Sequence, residues 1–148
     1  MELDSLYQQV ILDHYKNPKH KNLNESYTAQ VHHVNPSCGD EITLNIQVQA
    51  GKVAGISWDG VGCSISQAST SIMTELVLGK DIENAFEILG EFTDLMQSKG
   101  TKSGDEEVLE DAVALAGVSK FPARIKCALL GWMAFKDAVL QSKDKLGE

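Results

Sequence analysis

Between residues 42 and 48 apolar and polar side chains alternate without a break: Ile42, Leu44, Ile46 and Val48 against Thr43, Asn45 and Gln47. A two-residue period puts successive side chains on opposite faces of an extended chain, so this run predicts a half-buried strand. Such a strand needs partners along its edges and a cover for its apolar face. Residues 28–35 alternate more loosely on one side of it. Ala50-Gly51-Lys52 reads as a tight hairpin on the other, leading into Val53, Ile56 and Trp58, with Gly55 a candidate bulge. Three successive strands joined by short turns predict an antiparallel meander covered by helices.

The cover is written on either side in a different period. Leu3, Leu6, Tyr7, Val10 and Ile11 recur at helical spacing over residues 3–16, until Asn17-Pro18 stops them. A polar, basic connector, KNPKHKNLNES, follows. After Ser64, the stripe Ile65, Ala68, Ile72, Met73 and Leu76 predicts a helix closed by Gly79, and Asp81 is a fitting N-cap for another through Phe86, Leu89, Phe92 and Met96. Residues 97–107 read as an exposed loop and 107–116 as a short helix ending at Gly117. Pro122 suits the first turn of a last helix, running to about residue 142 and carrying Ile125, Ala128, Leu129, Trp132, Met133 and Phe135. The expected fold is α+β: a three-stranded antiparallel sheet packed on one face by helices. The chain of 148 residues shows no repeat and no internal boundary, so residues 1–148 are expected to form one domain.

A net charge of −8 argues against a nucleic-acid or anionic-membrane surface as partner. No stretch approaches the roughly 18 apolar residues of a membrane span. The acidic N-terminus lacks the character of a signal peptide, so a cytoplasmic location is expected. Thiols there stay mostly reduced, and three cysteines cannot form a full disulfide framework. Each is then core filler, metal ligand or nucleophile.

Their positions weigh against core filler alone and keep the chemical options open. Cys38 and Asp40 flank Gly39 at the mouth of the alternating strand, where a glycine turn can aim both at one point. Cys63 closes Asp59-Gly60-Val61-Gly62-Cys63 at the head of a helix, where the helix dipole stabilises a thiolate. Cys127 follows Arg124 by three residues on the last helix and Lys126 by one, and nearby cations act in the same direction. If all meet, Cys38, Asp40, Cys63 and Cys127 offer three sulfurs and one oxygen. That set suits tetrahedral zinc, while thiolates equally hold iron–sulfur clusters. The other candidates carry less. His32 and His33 are adjacent on a strand and point to opposite faces. His14 and His20 are expected at the surface, and Glu106-Glu107 reads as a solvated acidic run.

Three stretches, LYQQVILDHYKNPKHKN, NPSCGDEITLNIQV followed by DGVGCSISQASTSIM, and FPARIKCALLGW, together resemble the SufU/IscU-like family of iron–sulfur cluster assembly proteins, the NifU N-terminal-like domain. The resemblance implies the fold expected above and a metal or cluster site built from Cys38, Asp40, Cys63 and Cys127. The scaffold branch carries histidine before its last cysteine and an LPPVK segment; here Lys126 and FPARIK stand instead. The additional segment at 97–117 is also a mark of the SufU branch. That closer likeness implies zinc and the acceptance of persulfide sulfur from a SufS-like cysteine desulfurase, on the way to a downstream cluster-assembly complex. In that scheme Cys38, in a glycine loop that can swing, is the expected acceptor and Cys127 the next choice. Arg124 would stabilise the thiolate or touch the partner. Two other readings stay open: an IscU-type scaffold for an iron–sulfur cluster, and an adaptor whose zinc is structural.

Overall fold

The computed structural model describes the backbone of residues 3–37 and 39–145 and the side chains of residues 5–37 and 39–142. The elements follow in the order α1 (Leu3–Lys16), β1 (Ala29–Asn35), β2 (Asp40–Gln49), β3 (Lys52–Val61), α2 (Ser64–Val77), α3 (Ile82–Met96), α4 (Glu106–Leu109), a 3₁₀ segment (Glu110–Lys120) and α5 (Pro122–Lys145). The strands form one antiparallel sheet in the order β1-β2-β3. This is the expected α+β meander.

The alternating run forms the middle strand. Ile42, Leu44, Ile46 and Val48 are all buried, and Leu44 and Ile46 face Trp58 and Ile56 on β3. Asn45 breaks the expected alternation because it too is buried: the connector after α1 folds over that side of the sheet, and the Asn24 carbonyl accepts from Asn45 Nδ2 at 2.7 Å. The same connector seals Trp58, whose indole N–H donates to the Lys19 carbonyl at 2.8 Å. Ala50 and Gly51 both take positive φ, 54° and 74°, as a two-residue hairpin that follows strand twist requires. The bulge lies beside the expected glycine. Gln47 pairs with Gly55 and Val48 with Val53, which leaves Ala54 as the extra residue.

The helices cover the opposite face of the sheet. α5 lies along β1 and β2, α2 touches β3 and α5, and α1 packs on α2 and the 3₁₀ segment. Small residues permit the α2–α5 approach. Ser69 Oγ donates to the Ala128 carbonyl at 2.6 Å and accepts from the Trp132 indole at 2.9 Å. Trp132 in turn stacks on Phe92 of α3, with ring centroids 4.2 Å apart. One apolar cluster runs from Ala29 to Val139 through all three strands.

Residues 107–116 depart from the single short helix expected of them. α4 stops at Leu109, Glu110 takes φ 46°, and the chain continues as 3₁₀ turns to Lys120, beyond Gly117. A non-glycine residue with positive φ interrupts the α-helical hydrogen-bond ladder. The consecutive buried run Ala112–Leu115 follows, packed inward as a tighter helix.

Candidate metal centre

Each ligand candidate among the described residues stands at or near the end of an element. Asn35 and Asp40 face each other across the last pair of the β1–β2 ladder. Asn35 Oδ1 accepts from the Ser37 N–H at 3.2 Å, and the Gly39 N–H donates to the Asn35 carbonyl at 2.9 Å, so the Asn-Pro turn is held at both ends. Asp40 opens β2 with no exposed surface. Burial makes an ionised carboxylate costly unless donors or a cation share it. The Cys63 N–H is one donor, reaching Asp40 Oδ1 at 2.8 Å.

Cys63 is the N-cap residue of α2, with extended backbone and an exposed side chain. Gly62 explains how it approaches Asp40: a Cβ added there would meet Asp40 Oδ1 and, at 2.6 Å, Ser66 Oγ. Gly60, on β3, permits a similar approach, since a Cβ there would run into the Glu41 carbonyl. Gly60 thus answers to close packing against the β2 backbone, and Gly62 to close packing against the Asp40 carboxylate.

Cys127 sits near the start of α5 and is buried. Its Sγ contacts the Ala123 carbonyl at 3.8 Å and lies 3.9 Å from Asn35 Nδ2, which points an N–H at the sulfur. Asp40, Cys63 and Cys127 thus converge: one ligand atom from each lies within 4.8 Å of the other two. Cys63 Sγ and Asp40 Oδ2 are 3.8 Å apart. Zinc–sulfur and zinc–oxygen bonds of ordinary length at a tetrahedral angle separate the two ligands by about 3.6 Å. The donor set therefore fits zinc in chemistry and spacing. Cys38, the fourth residue of the expected set, lies outside the described residues.

Arg124 is exposed, while Cys127 three residues later is buried. The arginine lines a groove with Tyr7, Ile11, Ile65, Val118 and Phe121. Phe121 just before α5, Val61 at the end of β3 and Val34 near the end of β1 are large apolar side chains left exposed.

The histidines separate from this centre. His32 bonds Thr43 Oγ1 at 2.9 Å on the exposed side of β1, and His33 bonds Asp137 Oδ2 at 2.8 Å on α5. That hydrogen bond, against a smaller opposing effect of burial, holds the Asp137 carboxyl below the usual aspartate range. His14 is not at the surface as expected. It is only 4% exposed, because the α1 face that carries it packs on α2 and the 3₁₀ segment. Asn35 was missed as a site residue, although Asn-Pro ahead of Cys38 is a visible turn signal.

Residues 6–142 match the NifU-like N-terminal domain family. This chain belongs to that family. Among its NifU-like relatives, the zinc-dependent sulfurtransferase SufU of Bacillus subtilis (strain 168) is 48% identical over 95% of this chain and 94% of its own length. The iron–sulfur cluster assembly scaffold protein IscU of Streptococcus pyogenes serotype M1 is 40% identical over 95% of this chain and 87% of its own. The crystal structure of FiSufU from Fervidobacterium islandicum AW-1 superposes with a TM-score of 0.82 at 33% identity, covering 93% of this chain and 98% of that one. The NifU-like protein of Brucella abortus, at 21% identity and a TM-score of 0.86 over 97% of this chain and 98% of its own, shares the fold. Among the described residues no helix is long and apolar enough to cross a membrane.

Proposed function

We propose that this protein is a zinc-dependent sulfur acceptor that takes persulfide sulfur from a cysteine desulfurase for iron–sulfur cluster assembly in the cytoplasm. The observation that carries the reading is the convergence of one carboxylate and two sulfurs, from three separate elements, within 4.8 Å. The likeness to a protein named a zinc-dependent sulfurtransferase supports it. So does Lys126, which stands before the last cysteine where the scaffold branch has histidine.

Asp40, Cys63 and Cys127 would hold the ion together with Cys38, two residues before Asp40 in the chain. Zinc, when bound, keeps its cysteine ligands deprotonated. The rest falls to the chain. Asp40 would supply the one hard oxygen among soft sulfurs and would be the exchangeable member of the set. Gly39, with φ 70°, sits beside Cys38 and allows that residue a change of direction. The Cys38 thiolate attacks the outer sulfur of the desulfurase persulfide. A new sulfur–sulfur bond forms, the old one breaks, and its electron pair leaves with the desulfurase cysteine as thiolate. Cys38 then carries the persulfide to a downstream cluster-assembly complex. Arg124, on the groove rim, faces the approaching partner.

The test is to measure bound metal in the purified protein, then incubate it with a cysteine desulfurase and free cysteine and weigh the products. One zinc and one added sulfur on a single cysteine, lost in Cys38→Ser, is the expected result. Full sulfur uptake by Cys38→Ser would transfer the acceptor role to Cys127. A brown, iron-loaded product would establish the scaffold reading in its place. Zinc without sulfur uptake would leave a structural-zinc adaptor.

A further inference from the structure

We infer a second cation site, built from His14, Glu75 and Asp111, that takes a first-row divalent ion of mixed nitrogen and oxygen preference such as Mn²⁺ or Fe²⁺. The three residues come from α1, α2 and the 3₁₀ segment, and share no ligand with the thiolate centre. One ligand atom from each lies within 4.8 Å of the other two. His14 Nε2 is 3.2 Å from Asp111 Oδ2 and 3.7 Å from Glu75 Oε1. Ligands about 2.1 Å from a common ion are separated by about 3.0 Å at right angles and about 3.4 Å at the tetrahedral angle; the Asp111 spacing falls between these, and the Glu75 spacing is slightly longer than both.

The imidazole is oriented from behind. His14 Nδ1 is 2.8 Å from Ser71 Oγ, which also accepts the Lys19 N–H at 2.7 Å. A ring nitrogen held by an oxygen while the other faces outward is the arrangement that fixes a metal-binding histidine. On the outward side, a single N–H can serve one carboxylate well, yet two converge there from different elements. Their mutual repulsion is relieved by a cation bound to all three. The ring is buried, whereas the Glu75 and Asp111 side chains are 47% and 60% exposed. They open onto a hollow of about 220 Å³, lined also by Ile72, Leu76 and Glu110, with room for the waters that would complete the coordination. One nitrogen and two carboxylate oxygens, with no sulfur, suit manganese or ferrous ion and offer a soft metal nothing it prefers.

The site has a structural consequence. Tyr7 and Ile11 precede His14 on α1, and Ala114 follows Asp111 by three residues; both elements contribute to the lining of the groove that Arg124 lines. An ion joining His14 to Asp111 ties those two elements of the lining together.

The full-length, zinc-loaded protein is titrated with Mn²⁺, and free Mn²⁺ is followed by its paramagnetic resonance. One Mn²⁺ per chain is expected to bind with zinc retained, together with broadening of the His14 ring protons in the NMR spectrum. Glu75→Gln and Asp111→Asn, both at exposed side chains, should each weaken binding at least tenfold with circular dichroism unchanged, and Cys63→Ser should leave it intact. Absence of stoichiometric binding, binding indifferent to both carboxylate variants, or binding lost in Cys63→Ser with zinc release would each overturn the inference.

Discussion

The Cys63 backbone N–H donates to Asp40 Oδ1 at 2.8 Å, so the head of α2 is fastened to the first residue of β2 by a side chain that also belongs to the candidate metal centre. Asp40 therefore has two separable tasks. In Asp40→Ala the part-buried Cys63 N–H loses an acceptor, which costs up to about 1–3 kcal/mol, and the proposed metal centre loses a candidate ligand. Asp40→Asn keeps an oxygen for the N–H and removes the charge. Thermal melts of the metal-free proteins should show a lower midpoint for the alanine variant and a smaller change for asparagine, while both retain less zinc through dialysis against a chelator. Equal zinc retention by wild type and both variants would remove Asp40 from the site.

Gly62 tests the packing around the same carboxylate. A methyl group there collides with Asp40 and Ser66, atoms held by their own hydrogen bonds. Gly62→Ala should destabilise the fold by about 1–3 kcal/mol, as overpacking does, and reduce zinc content, although no ligand is changed. Denaturant melts and metal analysis of one preparation read both effects.

Two helical glycines predict opposite signs. In Gly131 of α5 a Cβ would strike Thr70 of α2, with Thr70 Cβ at 2.9 Å, so Gly131→Ala should cost about 1–3 kcal/mol. In Gly90 of α3 an added Cβ meets nothing within 4 Å. Gly90→Ala should therefore stabilise by about 0.5–1 kcal/mol through helix propensity. A shared sign in urea unfolding would contradict the α2–α5 contact.

His33 and Asp137 join β1 to α5, and the pair gives stability a defined dependence on pH. The hydrogen bond lowers the Asp137 carboxyl below its usual 3.8, so the folded protein holds this proton less tightly than the unfolded chain. The resulting stabilisation is fully present above that value and fades as pH falls through the lower, folded one. Since Asp137 is 41% exposed, it amounts to less than about 1 kcal/mol. Wild type should exceed Asp137→Asn at pH values above about 4, and the margin should close at lower pH; chemical denaturation across that range checks it.

Much of the architecture was legible from short stretches. The alternation from Ile42 to Val48, the Ala50-Gly51 turn and the helical stripe from Ile65 to Leu76 each announce an element within a few residues, because the backbone period is a local property. What misled was also local. Glu110 carries no mark of the positive φ that ends α4, and Asn45 reads as a solvent-facing strand residue because nothing beside it shows that the connector will cover it. His14 looked like one polar residue among several at the end of α1; its partners Ser71 and Asp111 stand 57 and 97 residues away.

The candidate centre divides in the same way. The chain by itself determined which groups are available: a carboxylate at a strand mouth, a thiol at a helix head, another early in the last helix, and the glycines beside them. Those identities and element ends follow from interactions between near neighbours. Only the tertiary structure decided that Asp40, Cys63 and Cys127 come within 4.8 Å, and that His14 turns inward between two carboxylates. Such meetings arise from burying the helix and sheet faces against one another, a free energy summed over the whole core and carried by no single stretch of it.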